Sequence, residues 1–130
     1  MKQFLAVLSL LLLTACNTTV ATFVPSFWDD NQSRSIINTY QLTKHIDCEL
    51  PQNTQAQQIQ RELEWFQLYS ESKGMLQKDV LQLIAPMQKT ATEWADRSKE
   101  KDPSPAYCKI KRELLQTQAE LASRAILGRF

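Results

Sequence analysis

The chain has 130 residues, with 15 Lys and Arg against 14 Asp and Glu and a single His, for a formal charge of +1 at pH 7. That balance excludes the basic footprint of a nucleic-acid binder and a polybasic membrane patch. Only two glycines are present, too few for a phosphate-cradling loop, and no G-x-S-x-G, H-E-x-x-H or C-x-x-C occurs.

In chain order, Lys2 supplies a positive charge, Phe4 to Leu13 is apolar except for Ser9, and Leu13-Thr14-Ala15-Cys16 forms a small-residue processing site ending in cysteine. An apolar run this short cannot cross a hydrocarbon core, which needs about 20 residues. A cleaved leader is therefore expected instead of a transmembrane anchor. The pattern resembles the lipobox of bacterial lipoproteins. The resemblance implies that the Cys16 thiol takes a diacylglycerol, that the leader is cut just before it, and that the new amino group is acylated as well. At about 0.8 kcal/mol per buried methylene, three acyl chains exceed the two-signal threshold for stable anchoring. In that family an aspartate directly after the cysteine marks retention in the inner membrane. Asn17 stands there in this chain, so the resemblance points to the outer membrane, facing the periplasm.

The expected organisation is a signal peptide over residues 1–15, a lipid-anchored tether over 16–25 and one helical domain over 26–130. Lys2 is the only charge in the leader, so the remainder carries 14 basic and 14 acidic side chains. Its length suits a single domain.

The body is punctuated as four helices, and no stretch alternates with period two for long enough to argue a strand. The first is expected from Pro25-Ser26, with Ser26 and Asp29 in a capping arrangement, to about Asp47. Ile36, Ile37 and Tyr40 share one side of it, and Trp28, Leu42 and Ile46 widen the apolar arc. The second runs from a cap at Asn53 or Thr54 to a glycine stop at Ser72-Lys73-Gly74. Its stripe is Ile59, Leu63 and Phe66, interrupted by Ser70, with Trp65 and Tyr69 beside it. The third spans about Leu76 to Lys99 with Leu76, Val80, Leu83, Met87, Ala91 and Trp94 on one face, and Pro86 inside it should kink or divide it. The fourth starts at Ser104-Pro105 and closes near Gly128, with a face of Tyr107, Ile110, Leu114, Leu121, Ala122 and Ala125. The fold class expected is all-α, a four-helix up-down bundle with short connections and one disulfide.

With Cys16 set aside, Cys48 and Cys108 remain, and an oxidising periplasm makes such a pair a disulfide. In an up-down bundle the end of the first helix and the start of the fourth lie at one pole, which suits that bond. Gly74, the start of the first helix and the C-terminus would lie at the other pole, nearest the lipid. A metal centre has no support, with one histidine and cysteines 60 residues apart. His45, about one turn before Cys48, is the only base that could serve a catalytic thiol, and the disulfide reading takes that thiol away.

Trp94 lies within a core stripe, and Trp28 near the start of the first helix is expected to pack as well. Trp65 and Tyr69 flank an adequate stripe and read either as the lining of a partner groove or as bundle edge; they are the contact residues to test. Asp29 and Asp30 could be an acid–base pair, but in a first turn they complement the helix dipole. Gln52 to Gln60 reads as a solvated helix start, and Arg112 to Glu120 as a solvated face.

A lipobox, about a hundred further residues, four helices, Cys48 closing the first and Cys108 opening the fourth resemble the layout of the small helical pilotins of bacterial secretins. That resemblance implies a non-enzymatic module that binds a short helix of a secretin in a groove and carries it to the outer membrane, with no cofactor beyond the lipid on Cys16. Recognition of a helix in a groove is compatible with the wide apolar arcs on the first and second helices. The texture of FVPSFWDDNQSRSI and WFQLYSESKG resembles small lipoproteins of tailed phages and prophages, which implies instead a role at the host envelope, with a phage receptor as partner in superinfection exclusion, or in lysis. The chain lacks the proline-rich ectodomain or C-terminal span of spanins, which counts against lysis. A purely structural tether would show no exposed apolar groove.

Overall fold

A computed structural model describes residues 28–74 and 77–129. The leader, Cys16, Asn17, the tether and the Ser26 cap lie outside the described residues, as does Leu76 at the expected start of the third helix. The described residues form four helices: α1 (Asp30–Lys44), α2 (Gln52–Ser72), α3 (Lys78–Arg97) and α4 (Pro105–Leu127). α1 packs on α2 and α4, and α3 packs on the same two. None of these helices is long and apolar enough to cross a membrane.

Each helix begins and ends for a local reason. Asp29 is itself the N-cap of α1, with extended backbone and a carboxylate that accepts from the Asn31 and Gln32 N–H groups, both at 3.0 Å. α1 stops at Lys44 with His45 as C-cap, three residues earlier than expected. α2 begins at Gln52, before the expected caps, and its preceding residue Pro51 offers no side-chain cap. A distant carboxylate replaces it, because the Gln52 N–H donates to Asp102 at 3.1 Å. Gly74 has φ +93°, the left-handed geometry that a glycine stop uses. α4 starts as expected, with the Ser104 hydroxyl accepting from the Tyr107 N–H and Pro105 in the first turn.

α3 runs through Pro86 as one helix, not two. Pro86 and Gln82, whose carbonyl loses its helical donor, are both at exposed positions, where water can replace that donor.

The core is built from Ile36, Ile59, Leu63, Phe66, Val80, Ile84, Met87, Ala91, Trp94, Cys108, Leu115, Ala119, Ala122 and Ile126. The α2 stripe is the expected one, and the interrupting Ser70 is buried with it. On α3 the centre shifts to Ile84, while Leu83 is only partly buried. Ile36 on α1 and Ile46 just after it are buried, whereas Ile37 on α1 and Trp28 before it are exposed, contrary to the expectation that both pack.

The inward face of α1 is instead largely polar: Gln32, Ser35, Thr39 and Thr43. These groups are satisfied locally or across the bundle. Thr39 donates to the Ser35 carbonyl at 3.0 Å, Thr43 to the Tyr40 carbonyl at 2.8 Å, and Ser35 to Glu62 at 2.7 Å. Hydroxyls that bond back within their own helix leave no buried group unpaired, and their small volume lets neighbouring helices approach.

α4 is rotated by roughly 100° from the expected face, one residue's step around a helix. Cys108, Leu115, Ala119, Ala122 and Ile126 face inward. Cys48 and Cys108 are disulfide-bonded, with Cα atoms 5.8 Å apart, and that bond turns the first turn of α4 toward the end of α1.

Candidate functional site

The rotation of α4 leaves large apolar side chains outside. Ile110 is 62% exposed, Leu114 42% and Leu121 63%. At positions i, i+4 and i+11 they share one helical face and form a ridge about 16 Å long. All three were expected in the core. The sequence carries a second candidate face, since Cys108, Leu115, Ala119, Ala122 and Ile126 also repeat at helical spacing. The smaller residues mark the side where three helices must approach.

On α2 the expected contact residues occupy two settings. Trp65 is 47% exposed and stacks on Tyr69, with ring centroids 5.1 Å apart and planes 5° from parallel. Lys73 Nζ lies over the other end of this column, 5.3 Å from the Tyr69 centroid. The Tyr69 hydroxyl donates to Asp29 at 3.1 Å and accepts from Asn31 Nδ2 at 3.0 Å. Tyr69 thus ties the end of α2 to the start of α1, and Trp65 is the more accessible of the pair.

Beside Trp65, a cleft of ≈220 Å³ opens between α1 and α2, lined by Asn31, Arg34, Ser35, Asn38, Glu62 and Trp65. No single-helix pattern points to Arg34 or Asn38, which read as solvated until α2 is set next to α1. A second, larger cleft of ≈470 Å³ between α2 and α3 is lined by amides and charged groups, including Gln60, Gln67, Gln88 and Glu93. Its amides bond across it, Gln88 Nε2 donating to Gln67 Oε1 at 2.6 Å.

The other polar cluster closes the pole where α1 begins. Gln32, fully buried, donates to Ser70 at 2.8 Å and Gln77 at 2.7 Å and accepts from Arg129 Nη2 at 2.9 Å. Burial pushes the Arg129 guanidinium below its ordinary value, against the charges of Asp79 and Asp29. Burial also acts to raise the Asp29 carboxyl. The Gln32 N–H, the Lys73 ammonium at 3.1 Å and the Tyr69 hydroxyl outweigh it and hold Asp29 below the usual aspartate value.

Asp29 is therefore engaged as a cap and ion-pair partner. Asp30 accepts from the Trp28 indole at 2.7 Å. His45 is exposed at the end of α1, and Cys48, spent in the disulfide, has no thiol to offer it. Among the described residues no group of three or more His, Cys, Asp or Glu could hold a metal ion.

No protein-family model, curated protein or solved structure matches this chain.

Proposed function

We propose that the protein is a lipid-anchored periplasmic protein of the outer membrane that works without catalysis, by holding another envelope protein against its helical bundle. The observation that carries this reading is the ridge of Ile110, Leu114 and Leu121 on α4. Large apolar residues at helical spacing on a solvent face are what a partner helix buries. The leader supports the address, through Leu13-Thr14-Ala15-Cys16 and Asn17.

An up-down order of the helices fits the cross-helix pairs. Gln32 meets Ser70, Asn53 meets Ala95, Lys111 meets Glu93 and Gln116 meets Thr43. With that order, the start of α1 and the end of α4 share the pole nearest the lipid, and the ridge runs away from the membrane. α2 and α4 each pack on α1 and α3, so they stand diagonally. One straight helix cannot cover both, so the proposed principal contact is on α4, with Trp65 and Tyr69 as a separate one.

The resemblance in layout to secretin pilotins makes a secretin the first partner to seek. The experiment is affinity capture from detergent-solubilised envelopes with the full chain carrying a C-terminal tag, followed by mass spectrometry. Recovery of a secretin or another outer-membrane assembly supports the proposal. Recovery of a phage receptor moves the protein to superinfection exclusion, and reproducible absence of any partner leaves a plain tether.

A further inference from the structure

The cleft beside Trp65 has a different chemistry from the α4 ridge. At ≈220 Å³ it falls below the roughly 300–1,000 Å³ of pockets for drug-sized ligands, so it has room for about one ring. Trp65 presents a braced aromatic surface to it. Tyr69, which backs the indole, does not line the cleft and is itself fixed through Asp29 and Asn31. A side chain already held in place loses little freedom when a ligand arrives.

The polar groups around the indole are available. Among the described residues, no hydrogen bond or ion pair engages the side chains of Arg34 or Asn38. Glu62 accepts from Ser35 through Oε1 at 2.7 Å and keeps Oε2 for another donor. Guanidinium, amide and carboxylate are all planar groups that can bond two adjacent hydroxyls at once. A hydrocarbon ligand would bury these groups unpaired. An anion would suit Arg34 but meet Glu62, and a cation would meet the reverse conflict. An uncharged ring with hydroxyls at its edge and C–H bonds on its face satisfies donors, acceptors and indole together.

We propose that this cleft binds one sugar residue of a glycan chain, with the ring stacked on Trp65 and its hydroxyls held by Arg34, Asn38 and Glu62. The site belongs to α1 and α2 and depends neither on the lipid anchor nor on what covers α4.

The test is an NMR titration of the full chain with chitotetraose, cellotetraose, maltotetraose and mannotetraose in turn. At least one should move the Trp65 indole N–H and the Asn38 side-chain amide saturably while the buried Trp94 indole stays put. Arg34→Ala and Asn38→Ala, both at exposed positions, should weaken that binding, Asn38→Ala by about tenfold, the equivalent of one neutral hydrogen bond at the upper end, and Arg34→Ala by about tenfold or more because its bonds are charge-assisted. Trp65→Ala should abolish it. A Leu121→Asp variant should bind the sugar normally, which separates this site from the protein contact. The proposal is overturned if none of the four sugars moves these resonances, if Asn38→Ala leaves the affinity unchanged, or if the Asn38 shifts survive Trp65→Ala.

Discussion

The indole Nε1 of Trp94 donates to Gln52 Oε1 at 3.0 Å, joining the largest buried side chain of α3 to the first residue of α2. Gln52 also donates through Nε2 to the Pro103 carbonyl at 2.9 Å and through its backbone N–H to Asp102. One buried amide thus fixes where α2 starts, how α3 is rotated and where the loop before α4 sits. Gln52→Ala would leave the indole N–H and the Pro103 carbonyl without their partner and open a small void. The expected loss is about 2–4 kcal/mol, read by urea unfolding. In a double-mutant cycle with Trp94→Phe the two effects should be clearly non-additive.

Removing the bond between Cys48 and Cys108 frees a loop of sequence separation 60. In the chain-entropy model its closure is worth about 4 kcal/mol. The Cys48→Ser/Cys108→Ser double variant should melt well below the oxidised protein, and reductant should lower the wild-type midpoint toward it. An unchanged midpoint with titratable thiols would contradict the bond.

Asp29 gives the protein an acid-sensitive joint. Its carboxyl is held below the ordinary value of 3.8, so around and below that pH the unfolded chain binds the proton more readily than the folded one. Its stabilising contribution is complete well above pH 3.8 and is lost as pH falls through the lower folded value. Asn also serves as an N-cap, so Asp29→Asn should keep α1 while flattening the fall in thermal midpoint below that pH. Identical acid limbs in both proteins would contradict the joint.

The phase of α4 can be read from neighbouring substitutions. Leu114→Asp and Leu121→Asp act on exposed side chains and should change stability by no more than about 0.5 kcal/mol. Leu115→Ala, one residue along at a fully buried position, should cost about 2–5 kcal/mol. Comparable losses at 114 and 115 would mean that the ridge is core.

Element type was legible in the sequence because caps and stops are local: Ser104-Pro105 and Lys73-Gly74 stand where the chain turns. The pairing of Cys48 with Cys108 is legible from cysteine arithmetic together with the expectation of an oxidising compartment. Helix rotation was less legible. α4 carries apolar residues at helical spacing on two faces, and periodicity alone favours the larger Ile110, Leu114 and Leu121 over Ala119 and Ala122. The choice is made by the disulfide and by the closeness of α1 and α3, neither of which is a property of α4. α1 misleads in the opposite way. Its buried Gln32, Ser35, Thr39 and Thr43 look like solvent residues, and only their internal hydrogen bonds make burial affordable. The cap that Asp102 lends to α2 crosses 50 residues and left no trace in a local pattern. The Trp65 cleft likewise exists only once Arg34 and Asn38 face another helix.

The most direct test of the central claim is site-specific photo-crosslinking in intact cells, with benzoylphenylalanine at position 121 of α4 and, as a control, at exposed position 57 of α2. A partner seated on the α4 ridge should give a discrete adduct with one envelope protein from position 121 and none from 57. Absence of an adduct from 121, or the same adducts from both positions, would contradict a protein-binding ridge on α4.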